Sequence, residues 1–137
     1  MIYLDTSAIV KLVRAEPESA ELVEWLNSRD EGTVTSVLAE VETVRALRRE
    51  AETQTELLAD VSAVLGQIAR FDIDAAVRAT AAAYPSPGLR SLDAIHLATA
   101  DQLGAAGASV TAFVTYDKTL ARVAMEAGMS VIGPGSV

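Results

Sequence analysis

Apolar and polar positions fall into short blocks along the chain, and the period of the blocks changes repeatedly. Ile2 to Leu4 is an apolar run of strand length. Ser7 to Arg14 places Ile9, Val10 and Val13 on one side of a helix. Pro17 stands where the start of a helix tolerates proline, and Leu22, Val23 and Leu26 form the stripe of that helix. Gly32 breaks the chain before a short strand, Thr33-Val34-Thr35. Ser36 then reads as the N-cap of a helix running toward Glu50, with Leu38, Val41, Val44 and Leu47 at helical spacing.

The alternation continues. A helix is expected over about 55–69, a minimal strand at Phe71-Asp72-Ile73, and an Ala-rich helix capped by Asp74. Pro85-Ser86-Pro87-Gly88 is a turn. Ser91 is expected to cap a helix containing Ile95, Leu97 and Ala98. Val110 to Thr115 reads as a strand, Lys118 to Ala127 as a helix closed by Gly128, and Val131-Ile132 as the last strand. Strands alternating with helices predict an α/β fold in which a parallel sheet is covered on both faces, with right-handed crossovers.

Composition narrows this reading. A chain of 137 residues, half of them apolar and few aromatic, suits one domain spanning 1–137 with a sizeable core. No cysteine is present, so disulfides and thiolate metal sites are excluded. Met1-Ile2-Tyr3-Leu4-Asp5 lacks the basic region of a signal peptide. The longest run free of Asp, Glu, Lys and Arg, Gln102 to Tyr116, is interrupted by Gly104 and Gly107 and is too short to span a bilayer. A soluble, cytoplasmic protein with no membrane partner is the expectation. The net charge of −8 argues against avid phosphate binding by the whole surface. It leaves room for metal ions in an acidic cleft, a local basic rim, or a basic partner protein.

Most of the 19 acidic residues lie among charged neighbours on helix faces, where solvation explains them. Four are placed differently. Asp5 and Asp117 each follow a strand directly, and ligands of open parallel sheets bind beyond strand carboxyl ends, where strand order reverses. Capping the next helix is the equally plain alternative for either one. Asp93 starts a helix whose residues Ala94 to Ala100 are apolar or small apart from His96 and Thr99, so its carboxylate needs a partner. Glu42 sits at the edge of the stripe of its helix, with Glu40 as the competing candidate on a side that faces water. An all-oxygen set suits a hard cation, Mg²⁺ or Mn²⁺, and disfavours zinc. Such a site serves phosphodiester hydrolysis.

Other chemistries lack their residues. With His96 as the single histidine, a two-histidine ribonuclease is impossible, and no Gly-x-Gly-x-x-Gly, P-loop or Gly-x-Ser-x-Gly occurs. Asp5-Thr6-Ser7 after a strand leaves open a phosphoaspartate enzyme, although Ser7 stands where such enzymes usually carry a second Asp. A non-catalytic interaction module is the other rival, and its signature would be loss of one of the four acids.

Met1-Ile2-Tyr3-Leu4-Asp5-Thr6-Ser7-Ala8 resembles the opening of PIN domains. Thr35 to Leu47 resembles their second motif, in which a serine precedes the acidic ligand by six residues, selecting Glu42 over Glu40. Leu92-Asp93-Ala94-Ile95-His96-Leu97-Ala98-Thr99-Ala100 is the most specific match, and Val114-Thr115-Tyr116-Asp117-Lys118 with Pro134-Gly135 completes the series. The closest form is the VapC-type toxin of type II toxin–antitoxin (VapBC) systems. The resemblance implies a three-layer α/β/α fold and a Mg²⁺ or Mn²⁺ site built by Asp5, Glu42, Asp93 and Asp117. It further implies an endoribonuclease that cleaves transfer or ribosomal RNA and stops translation. A homodimer held inactive in a hetero-oligomer with its antitoxin is implied as well.

In the resulting scheme Asp5, Asp93 and Asp117 hold the metal, and Glu42 positions the metal or the attacking water. Thr6, Ser7, Thr115 and His96 support them by hydrogen bonds. Arg45 and Arg49 on the Glu42 helix are the candidates for RNA phosphates, with Lys11 a weaker one.

Overall fold

The computed structural model describes residues 1–48 and 53–136. Five strands, β1 (Ile2–Leu4), β2 (Thr33–Ser36), β3 (Ala69–Phe71), β4 (Ala112–Val114) and β5 (Val131–Ile132), form a wholly parallel sheet in the order β3-β2-β1-β4-β5. Between them run α1 (Thr6–Val13), α2 (Ser19–Asn27), α3 (Leu38–Leu47), α4 (Gln54–Leu65), α5 (Ala75–Ala83), α6 (Ser91–Ala105) and α7 (Lys118–Glu126).

The central strands are apolar without alternation because both faces are covered. Ile2, Leu4, Ala112 and Val114 pack against one core with α1, Leu22 of α2, and Leu57, Val61 and Leu65 of α4. Tyr3 and Phe113 point the opposite way, into a second core with Leu97 and Ala100 of α6 and Leu120 and Val123 of α7. The period of two along each strand thus divides the molecule into three layers, α/β/α. Burying each of these large apolar side chains contributes about 1.5–3 kcal/mol.

Strand order reverses between β1 and β4, which lie side by side with Leu4 opposite Val114. The carboxyl ends of these two strands therefore define the crevice where this architecture binds ligands. Asp5 and Asp117 emerge at those two ends.

Several local expectations are corrected. Ser36 ends β2, and α3 begins one residue after Val37, although the Ser36 hydroxyl still accepts from the Leu38 N–H at 3.1 Å. The buried face of α3 is consequently Ala39, Thr43 and Leu47, while Val41 is exposed. Pro17 lies in a turn, and α2 starts at Ser19, whose hydroxyl donates to the Lys11 carbonyl at 2.7 Å and ties the helix start to α1. Val23 faces outward on α2. Helix α4 stops at Gly66, and β3 pairs with β2 over Ala69–Phe71, earlier than expected. Arg90, not Ser91, is the N-cap residue of α6, and no side-chain cap is formed there. Gly128 does close α7, with a φ of +87° that a residue with a Cβ rarely adopts.

Candidate active site at the β1–β4 switch point

Asp5 leaves β1 in extended conformation and caps α1, its Oδ1 accepting from the Ala8 N–H at 3.0 Å and from the Ser7 hydroxyl at 2.6 Å. Its Oδ2 accepts from the Thr115 hydroxyl at 2.5 Å. Both hydroxyls work twice. Ser7 Oγ accepts the Tyr116 N–H at 2.9 Å, and Thr115 Oγ1 accepts the Asp117 N–H at 3.1 Å. The ends of β1 and β4 are therefore laced together through Asp5. Burial raises the Asp5 carboxyl above the ordinary carboxylate range, and the hydrogen bonds from Ser7, Thr115 and Ala8 pull against that shift.

Asp117 caps α7 through Oδ1, which accepts from the Leu120 N–H at 2.8 Å. Both acids thus cap the helix that follows, and both stand beyond the strand ends that flank the switch point. Asp93 lies half-buried in the first turn of α6. Its carboxyl is raised by burial, then by the charges of Asp117 and Asp5, with Glu42 adding to the shift. Asp93 thus feels the charge of three other carboxylates at one end of the sheet.

Glu42 projects from α3, and its Oε1 accepts from the Thr6 hydroxyl at 2.6 Å and from His96 Nε2 at 2.7 Å. Burial pushes its carboxyl up, but these two hydrogen bonds outweigh it, and the net shift is downward. Glu40 is exposed on another side of the helix, 3.5 Å from Arg70.

All four supporting residues thus touch an acid: Ser7 and Thr115 hold Asp5, while Thr6 and His96 hold Glu42. Arg45 is exposed one turn beyond Glu42, and Arg49 lies outside the described residues. Lys11 is otherwise engaged. Its ammonium is paired with Glu16 at 3.0 Å and Glu18 at 2.8 Å, and it sits over the Tyr116 ring. It is therefore a poor phosphate ligand. One contact lies outside the sequence reading: the buried Tyr3 hydroxyl is 2.8 Å from His96 Nδ1. The signal for it was a tyrosine within a buried strand, since a phenol there needs a hydrogen-bond partner.

A family model for the PIN domain matches residues 2–126. The chain belongs to the PIN-domain family. Ribonuclease VapC35 of Mycobacterium tuberculosis is 52% identical over 136 residues, covering 98% of each chain. Among solved structures, Mycobacterium tuberculosis VapC20, a Sarcin-Ricin loop cleaving toxin, superposes with a TM-score of 0.75 at 17% identity over 98% of this chain and 100% of that one. VapBC2 from Rickettsia felis, bound to a DNA fragment from their promoter, gives 0.66 at 13% identity over 98% of this chain and 99% of that one. At these identities the two structures show a shared fold.

The donor set of this PIN domain fits a hard divalent cation. Asp5 Oδ2 has one hydrogen-bond donor, Asp117 caps through one oxygen, and no hydrogen bond to the Asp93 carboxylate occurs among the described residues, so each acid keeps open lone pairs. Among the described residues no three Asp, Glu or His side chains close around a point tightly enough to hold a metal unaided.

Proposed function

We propose that this PIN domain, a single domain over 1–137, is a divalent-metal-dependent endoribonuclease and the toxin half of a toxin–antitoxin pair. What supports the reading is the placement of Asp5 and Asp117 beyond the carboxyl ends of β1 and β4, together with an Asp93 carboxyl raised by burial and by the charges of Asp117, Asp5 and Glu42. Charge crowding of this kind is relieved by a cation. Asp5, Asp93 and Asp117 would hold Mg²⁺, or Mn²⁺ in its place. A bound cation supplies an activated water and neutralises charge building on the phosphodiester.

The protein's own part is positioning. Asp5 is fixed by two donors from α1 and by Thr115 just after β4, so it presents Oδ2 at a set place. Glu42, clamped by Thr6 and His96, stays ionised and is placed to orient the attacking water. Arg45 meets a phosphate of the RNA from the exposed side of α3. The substrate is structured RNA, transfer or ribosomal, and its cleavage stops translation.

An antitoxin is the partner that controls it, in a hetero-oligomer built on a homodimer. The naming of full-length relatives as VapC ribonucleases and the VapBC2 likeness support this reading. Among the described residues no helix is long and apolar enough to cross a membrane, and a cytoplasmic site of action follows from the RNA substrate. The test is incubation of total cellular RNA with the partner-free chain. Discrete fragments in Mg²⁺ or Mn²⁺, and none with chelator, are expected. Intact RNA in both metals, from a folded chain, would overturn the proposal.

A further inference from the structure

Two buried polar side chains meet behind the site. Tyr3 and His96 are 0% and 1% exposed, and Tyr3 belongs to the second core with Phe113, Leu97 and Ala100. Packing alone does not call for either polar group. The Tyr3 ring stacks on Phe113 at 5.1 Å with planes 1° apart, a contact phenylalanine would make equally well. Its hydroxyl instead reaches His96 Nδ1 at 2.8 Å, with the two rings edge-on at 79°. The other ring nitrogen, Nε2, contacts Glu42 Oε1 at 2.7 Å and Thr6 Oγ1 at 3.1 Å. A carboxylate only accepts, so Nε2 carries the proton on that side.

The geometry points to Tyr3 as a positioning residue of the site: its hydroxyl holds the His96 ring so that Nε2–H stays aimed at the Glu42 carboxylate. The inference rests on the nuclease reading. A phenol both donates and accepts, so Tyr3 satisfies Nδ1 whether or not that nitrogen carries a proton. Without the hydroxyl, Nδ1 has no polar contact, the ring is held only through Nε2 by Glu42 and Thr6, and it can turn about χ2. Glu42 then loses a fixed donor. Buried strand β1 thereby contributes to the site twice, through Asp5 at its end and through Tyr3 from within the core.

Tyr3→Phe preserves the stack on Phe113 and removes only the hydroxyl. It is expected to lower kcat for RNA cleavage roughly 10-fold, the lower range for removing a partner that orients a site ligand, with KM unchanged. His96→Gln retains an N–H donor for Glu42 that does not depend on Tyr3. In that background Tyr3→Phe should cost nothing further, because residues acting through one another are non-additive. The chain has one histidine, so its ¹⁵N-labelled imidazole gives one set of ring signals. A slowly exchanging Nε2–H is expected in the native chain, exchanging faster in Tyr3→Phe.

An unchanged kcat in Tyr3→Phe, an equal loss in the His96→Gln background, or identical imidazole signals in both chains would overturn the inference. A native chain that cleaves no RNA overturns the nuclease reading instead, and the imidazole signals still decide whether Tyr3 holds the ring.

Discussion

The Thr115 hydroxyl donates to Asp5 Oδ2 at 2.5 Å, joining residues 110 positions apart at the point where strand order reverses. Thr115→Val keeps the shape of the side chain and removes both this donor and the acceptor of the Asp117 N–H. A buried carboxylate that loses a donor costs about 1–3 kcal/mol, which urea denaturation should register. The loss also removes one influence holding the Asp5 carboxyl down, so the acid limb of the cleavage pH profile should move to higher pH.

Asp93→Asn should stabilise the metal-free protein at neutral pH. The Asp93 carboxyl is raised by burial and by neighbouring carboxylates, so the folded state binds its proton more tightly than the unfolded state does. Stability therefore falls as pH rises from the ordinary carboxylate range through the raised value, and that penalty is fully present above it. Half-exposure of the side chain keeps the gain modest. Glu42 runs the opposite way: its lowered carboxyl contributes stability above the ordinary value, and this is lost as pH falls through the lower one. Thermal melts in chelator across pH check the sign. Asparagine at 93 should raise Tm at neutral pH and leave it unchanged in acid.

Arg45→Ala should raise KM for RNA and leave kcat unchanged, the pattern of a lost ground-state phosphate contact. The slope of log affinity against log salt should fall by about 0.7–0.9. Lys11→Ala should leave that slope unchanged, because its ammonium is paired with Glu16 and Glu18. Salt titrations of both variants separate the two bases.

The parts of the fold that the sequence revealed were those with short-range causes. Ile2 to Leu4 is apolar on both faces because β1 is covered twice, and Asp74 and Asp117 cap helices with contacts to the N–H three residues on. The carboxylates at the strand ends were legible because they interrupt apolar runs. Register was harder. Edge strand β3 exposes Ala69 and Arg70, so no apolar run marked its start. Ser36 belongs to β2 because pairing with Phe71 extends the strand, a long-range term that outweighs its local capping preference, and this rotates the buried face of α3 away from Val41. Lys11 stood as a weaker phosphate candidate because Glu16 and Glu18 reach it only once the chain turns between α1 and α2. A tyrosine in a buried strand signals that its hydroxyl needs a partner, but the partner, His96, is 93 positions away, and no local pattern names it.

The most direct test of the central claim is the rate of RNA cleavage by the purified chain as Mg²⁺ is titrated, for the native protein and for Asp93→Asn. A metal held by Asp5, Asp93 and Asp117 predicts a saturable rise with Mg²⁺ in the native chain and a loss of about 100-fold or more in Asp93→Asn, the equivalent of several kcal/mol of transition-state stabilisation. Cleavage that proceeds equally in chelator, or that survives Asp93→Asn with an unchanged Mg²⁺ profile, would contradict it.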